Sequence, residues 1–261
     1  MSAEPRVRFL GHSTLVVEID GLRILTDPAL RDRIGPLIRQ GPVPESDAYR
    51  DIDAVLISHL HLDHLDVPSL RRLDGRPTLI VPRGSEPLMR RSHLHNFVEM
   101  APGEAIAFGG ITIRTTKAEH GGARPPAGPI AQAMGFLLEG DRHSVYFAGD
   151  TDLFPEMADI PDPDVALLPV SGWGLTRGPG HLDPTEAARA LTLVRPRLAI
   201  PIHWGTFWPQ GLGLVGKDRR TGAADLFRRH AEELAPDVRV AVARPGERVG
   251  LPRHGHDPVT R

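Results

Sequence analysis

The residues most able to do chemistry lie in one short string, Ser58-His59-Leu60-His61-Leu62-Asp63-His64, directly after the apolar run Ala54–Ile57. In an extended segment residues i and i+2 project to the same side, so His59 and His61 can share one cation. Asp63 and His64 fall where the chain turns towards a helix capped by Asp66, which swings them towards a second ion. The chain has no cysteine, so any metal must be held by His, Asp or Glu. Imidazole and carboxylate together suit zinc, iron or manganese, whereas calcium and magnesium favour all-oxygen cages. A hydroxide held between two such ions, roughly 3.5–4 Å apart, is a strong nucleophile at neutral pH.

Three further apolar runs end on residues of the same kind. Ile111–Thr116 leads to Glu119-His120-Gly121-Gly122, Ser144–Ala148 to Gly149-Asp150-Thr151, and Leu198–Ile202 to His203-Trp204-Gly205. Sheets of α/β proteins place their sites at the carboxyl ends of strands, which is where all of these residues fall. Asp150 has two oxygens to share and is suited to bridge the ions. Taken singly, Asp150 or His203 is no more than a strand-end cap, and Glu119 competes with His120. Taken together, a metal-free version would need a separate hydrogen bond for every buried imidazole. His93 and His95 follow the helical stretch Glu86–Arg91 and are expected at the surface, as are His143, His230, His254 and His256. Trp173, Trp204 and Trp208 are expected in the core, where those beside the motifs would also wall a pocket.

The elements that must position these groups alternate between strand and helix. Val7–Ile19 reads as one strand and Leu22–Asp27 as the next, turned by Asp20-Gly21. Further strands are expected at Thr78–Val81, Ala133–Leu138 and Val165–Val170, and a long loop at Arg31–Arg50. Pro184–Val194 is a helix with Asp183 as its cap and Glu186 closing a capping box. Thr221–Leu234 is a second amphipathic helix. An α/β sandwich of a single domain over residues 1–252 follows, with a frayed tail at 253–261.

The pattern His-x-His-x-Asp-His after an apolar strand, with His120, Asp150 and His203 downstream, resembles the metallo-β-lactamase superfamily. Gly11-His12-Ser13-Thr14, Leu25-Thr26-Asp27-Pro28, Phe147–Thr151, Ile202–Phe207 and His181–Ala187 narrow the likeness. They are similar to the branch of L-ascorbate-6-phosphate lactonases and N-acylphosphatidylethanolamine-hydrolysing phospholipase D, the latter more closely. The resemblance implies a four-layer αββα sandwich holding two divalent ions, zinc first, with manganese or iron as alternatives. It implies His59, His61 and His120 on one ion, Asp63, His64 and His203 on the other, and Asp150 between them. Asp27 would support the ligand histidines from behind, and His12 would stand nearby. Catalysis would fall to Asp63 and to His181, the latter binding substrate or protonating the leaving group. A bare local hydrogen bond beside the Asp183 cap is the competing reading of His181.

The implied activity is metal-dependent hydrolysis of a phosphodiester, with a lactone or other carboxylic ester second. A di-metal redox protein and a catalytically silent metal binder are the readings of another class. Substrate choice would rest with the loops Arg31–Arg50, Gly122–Ile130, Gly172–Gly180 and Thr206–Thr221. Arg124 and Arg177 are the candidate phosphate binders there, against the plainer reading of solvated surface charge. Lys plus Arg number 31 against 33 Asp plus Glu, a balance that gives no signature of nucleic-acid binding. No apolar run approaches the ~20 residues of a membrane span. A small-molecule substrate and a cytoplasmic location are therefore expected, and a homo-oligomer is allowed.

Overall fold

The computed structural model describes residues 5–171, 179–211 and 217–252, the side chains of 217–221 excepted. In chain order the strands are β1 Arg6–Gly11, β2 Thr14–Ile19, β3 Leu22–Thr26, β4 Arg33–Ile34, β5 Leu37–Arg39, β6 Ala54–Leu56, β7 Thr78–Pro82, β8 Phe97–Met100 and β9 Ala105–Phe108. They continue as β10 Ile111–Lys117, β11 Met134–Glu139, β12 Ser144–Phe147, β13 Val165–Pro169, β14 Leu198–Ile202, β15 Phe207–Pro209, β16 Arg239–Val240 and β17 Arg248–Gly250. The α-helices are α1 Val67–Leu70, α2 Glu86–Arg91, α3 Pro184–Val194 and α4 Lys217–Leu234.

Two seven-stranded sheets have the orders β17-β1-β2-β3-β6-β7-β8 and β16-β14-β13-β12-β11-β10-β9. They face one another across a core to which Leu15, Val17 and Ile19 of β2 contribute from one side and Met134, Phe136 and Leu138 of β11 from the other. The alternate residues are apolar too. Ala166 and Leu168 of β13 meet Ala187, Leu191 and Phe227 of α3 and α4. Val16, Leu25 and Val55 meet Leu70, Leu88 and Met89 beneath α1 and α2. Strands covered on both faces cannot alternate polar with apolar, which is why these runs read as continuously hydrophobic. The result is a helix–sheet–sheet–helix sandwich in one domain, as the sequence leads one to expect.

The helix α3 begins as its sequence specifies. Asp183 accepts from the backbone of Thr185 and Glu186, both at 2.8 Å, and Glu186 accepts from the Asp183 backbone at 3.1 Å. Other expectations fail for identifiable reasons. Val7–Ile19 is not one strand: β1 turns back at His12-Ser13 and pairs antiparallel with β2. Gly11 (φ 106°) and His12 (φ 59°) make that turn, and a Cβ on Gly11 would lie 2.9 Å from Thr206 Oγ1. Arg31–Arg50 is not a structureless loop either. It contains β4 and β5, which with β15 form a third, three-stranded sheet. Strands of two or three residues are too short to show a period. His143 is buried rather than at the surface. His93 and His95 are exposed as expected and His230 is half-buried, while His254, His256 and the tail from 253 lie outside the described residues. Among the described residues no helix is long and apolar enough to cross a membrane.

Candidate metal centre

Asp27 and Ser58 follow the parallel neighbours β3 and β6, so both strand ends open on the same edge of the sheet. Asp27 is fully buried, with φ at 33°. Its Oδ1 accepts from the Ser58 backbone at 2.8 Å, and its Oδ2 accepts from Ser58 Oγ at 2.6 Å and pairs with His64 Nδ1 at 2.7 Å. A carboxylate can only accept, so Nδ1 of His64 carries the proton and Nε2 turns inward. The loop tightens through His64 N and Leu65 N, which donate to His61 O at 3.1 and 2.9 Å. Asp66 then caps α1 through Ser69 N at 3.0 Å.

The other sheet supplies the rest. After β10, His120 holds Gly180 O through Nδ1 at 2.7 Å, leaving Nε2 3.1 Å from His61 Nδ1. After β14, His203 (φ 59°) holds Ser171 O through Nδ1 at 2.7 Å. After β12, Gly149 (φ 63°) turns the chain so that Asp150 enters the centre; a Cβ on Gly149 would lie 2.6 Å from Ser58 Cβ. In His64, His120 and His203 alike, one ring nitrogen is committed to a protein acceptor and the other faces the common space. That arrangement fixes the tautomer of a metal-ligating imidazole.

Two sets of donors result. Ligand atoms of His59, His61 and His120 lie within 4.8 Å of one another, and so do those of His12, Asp63, His64 and His203. Asp150 reaches both: its Oδ2 lies 3.1 Å from His64 Nε2 and 3.2 Å from His203 Nε2, and its carboxylate also groups with the ligand atoms of His120 and His181 within 4.8 Å. His181 enters the same space with Nε2 3.4 Å from Asp150 Oδ2, and its ring lies 4.8 Å from that of His120. His12 pairs through Nε2 with Asp63 Oδ2 at 2.8 Å. Every ligand candidate read from the sequence is brought together here, and so are His12 and His181. Glu119 is not; it is exposed and paired with Lys117 at 2.8 Å.

The donor set fits a divalent ion. His59 Nε2 and Asp150 Oδ1 are buried with no hydrogen-bond partner among the described residues, a costly state for protein polar atoms alone. The electrostatics agree. Burial opposes charge on His64, yet Asp150, Asp63 and Asp27 hold it well above the usual imidazole range. Burial likewise opposes charge on His203, and Asp150 and Asp63 raise it to about 9. Asp63 and Asp150 are held well below the usual carboxylate range despite burial, His64 being the largest opposing influence on Asp63 and His203 on Asp150. By contrast burial, reinforced by neighbouring imidazoles, pushes His12 down to about 3 and His120 to about 4. Buried carboxylates thus draw positive charge to the middle of the site while the outer imidazoles stay neutral, ready to donate lone pairs.

Arg124 is half-buried and braces the metal loop with one guanidinium nitrogen. Its Nη1 donates to Leu60 O at 3.0 Å and Leu65 O at 2.6 Å, tying the metal loop to the 123–130 turn. Trp204 is half-buried, stacked on Phe9 at 6.3 Å, and Trp208 is buried in β15. Arg177 and Trp173 lie outside the described residues. The sequence reading missed Ser58, Thr206 and Ser171. Thr206 Oγ1 accepts from His12 N at 2.6 Å. Such residues act on the ligands' neighbours and show no spacing of their own; for Ser58 the adjacency to His59 was the available signal.

The chain matches the family described as the beta-lactamase superfamily domain over residues 22–204. It is 34% identical over 249 residues to a UPF0173 metal-dependent hydrolase of Methanopyrus kandleri, covering 93% of this chain and 98% of that protein. Among solved structures it resembles Igni18, a metallo hydrolase from Ignicoccus hospitalis, with TM-score 0.72 and 25% identity over 95% of this chain and 98% of that one. It shares the fold of a possible metal-dependent hydrolase from Veillonella parvula, with TM-score 0.76 and 20% identity over 95% and 100% of the two chains.

Proposed function

Since the chain belongs to the metallo-β-lactamase superfamily and is a metal-dependent hydrolase, we propose that it cleaves a phosphodiester bond in a small-molecule substrate at a two-ion centre. The observation that supports this reading is Asp150, whose carboxylate lies within reach of His120 on one side and of His64 and His203 on the other. His59, His61 and His120 would hold one ion, Asp63, His64 and His203 the other, with Asp150 bridging. Zinc is the first choice for both, with manganese or iron also compatible with this nitrogen and oxygen set. When bound, the ions supply a nucleophilic hydroxide and a Lewis acid for the departing oxygen. The chain's own groups do the rest. Asp27 keeps the proton of His64 on Nδ1, His12 fixes the direction of Asp63, and the burial of both groups excludes bulk water. His181 stands where it can hand a proton to a leaving oxygen.

A carboxylic ester or lactone substrate is the second reading, and one observation favours it. Arg124, a candidate phosphate binder by sequence, commits Nη1 of its guanidinium to two loop carbonyls rather than to the metal space. The test is metal analysis of the purified protein together with turnover of bis(p-nitrophenyl) phosphate and a panel of lactones. Two equivalents of metal and phosphodiester turnover are expected. Turnover of lactones alone reverses the order of substrates, and no turnover with any divalent ion defeats the hydrolase assignment at this site.

A further inference from the structure

We propose that Asp152 is a positioning residue, which locks both His120 and His181 into the metal centre through a closed ring of hydrogen bonds. The inference rests on the ligand assignment proposed above. The ring begins at His120, whose Nδ1–H donates to Gly180 O at 2.7 Å. Gly180 N donates to Asp152 Oδ2 at 2.8 Å, and His181 N donates to the other oxygen, Oδ1, at 3.1 Å. The ring closes where Asp152 N donates to Glu119 O at 3.0 Å, one residue before His120. A cross-brace runs from Glu119 N to Thr151 Oγ1 at 2.9 Å. Three loops, following β10, β12 and β13, are thereby joined at one carboxylate.

The geometry of the ring has no slack at Gly180. A Cβ there would lie 2.5 Å from His120 Nδ1, and φ is 86°. The bare backbone lets a carbonyl approach the imidazole edge-on, and Asp152 pins that backbone by taking two consecutive amides, one on each oxygen. Both bonds are charge-assisted, hence stronger than their neutral equivalents. Two consequences follow from one side chain. The Gly180 carbonyl stays aimed at His120, holding the proton on Nδ1 and Nε2 towards His61. The His181 backbone is fixed as well, and with it the approach of His181 Nε2 to Asp150, 3.4 Å away. The second donor set is oriented without Asp152: His64 leans on Asp27 and His203 on Ser171 O. Asp152 therefore acts on one ion and on the proposed proton donor, and spares the other ion.

The decisive experiment compares wild type with Asp152→Ala and Asp152→Asn in two ways. In metal-free protein at neutral pH, imidazole 15N chemical shifts read the His120 tautomer. Wild type should show Nδ1–H, and Asp152→Ala a mixture. Stepwise zinc titration should then show a 10- to 100-fold loss at one of the two ions and less than a threefold change at the other. Asp152→Asn retains one acceptor oxygen and should fall between; it also serves if Asp152→Ala does not fold. An unchanged tautomer with unchanged affinities overturns the proposal, and so does an equal loss at both ions, which is what a merely structural role would produce. If wild type binds fewer than two ions, the two-ion reading fails, while the tautomer comparison still decides the role of Asp152.

Discussion

Asp27→Asn is a nearly isosteric change whose effect follows from one asymmetry in its partners. A backbone N–H can only donate, so the amide must keep its carbonyl oxygen on the Ser58 side, where Oδ1 now accepts at 2.8 Å. The amide NH2 then replaces Oδ2, facing Ser58 Oγ and His64 Nδ1 at 2.6 and 2.7 Å. Ser58 can rotate its hydroxyl to accept. His64 can only comply by giving up its Nδ1 proton and keeping the one on Nε2, the atom that points to Asp63 and Asp150 at 3.0 and 3.1 Å. Ligating a metal through Nε2 then requires restoring the Nδ1 proton against an opposing donor. An unmatched buried donor costs about 1–3 kcal/mol, equivalent to roughly 5- to 150-fold in affinity. That range overlaps the roughly 10- to 100-fold measured for comparable supporting groups. Competition for zinc against a chromophoric chelator reads the affinity, with thermal unfolding of the metal-free variant as the control for folding. Zinc affinity within twofold of wild type in a folded variant would refute the reasoning.

Three more outcomes are expected. Gly149→Ala places a Cβ 2.6 Å from that of Ser58 at φ 63°, so it should cost about 1–3 kcal/mol and lower Tm by several degrees; a Tm within one degree of wild type would show that the turn relaxes. Arg124→Lys should lower turnover of phosphodiesters and lactones by the same factor, since its guanidinium holds loop carbonyls; a rise in KM confined to phosphodiesters would place Arg124 on the substrate. Because His203 is raised to about 9 without metal, binding there must displace a proton below that pH. Apparent metal affinity should therefore climb by about tenfold per pH unit for that proton as pH rises towards 9, and a flat titration between pH 6 and 8 contradicts the assignment.

What the sequence disclosed depended on how local each signal was. Continuous apolar runs located β6, β7 and β11–β14 because strands buried on both faces have few polar positions to interrupt them, whereas β10 alternates, with Ile111, Ile113 and Thr115 inward and Arg114 exposed. Ligands were legible because each sits one to seven residues beyond a run read as strand. The turn at His12 was not, since Leu10 and Leu15 on either side kept the hydrophobic run alive and only Gly11 marked the break. Edge strands β8 and β9 are half-exposed, and β4, β5, β15, β16 and β17 are two or three residues long, so neither kind stands out from loop. Asp152 and Ser171 escaped for another reason: they act through backbone atoms of residues remote in sequence, and a carbonyl's partner is not written in the residue that carries it.

The Gly11–Thr14 turn has a consequence for how the centre is made. His12 N is bonded to Thr206 Oγ1 across 194 positions, and His203 N donates to His12 O at 2.9 Å. The centre thus joins segments 194 positions apart: the His59–His64 loop has Asp27 close in sequence to aim His64, whereas His203 and the Gly180 carbonyl that aims His120 come from much later in the chain. Pairings this distant in sequence form late, after costly loop closure. Until those pairings form, the loop offers an ion only part of its donors, so tight metal binding would report that the two sheets have closed on one another.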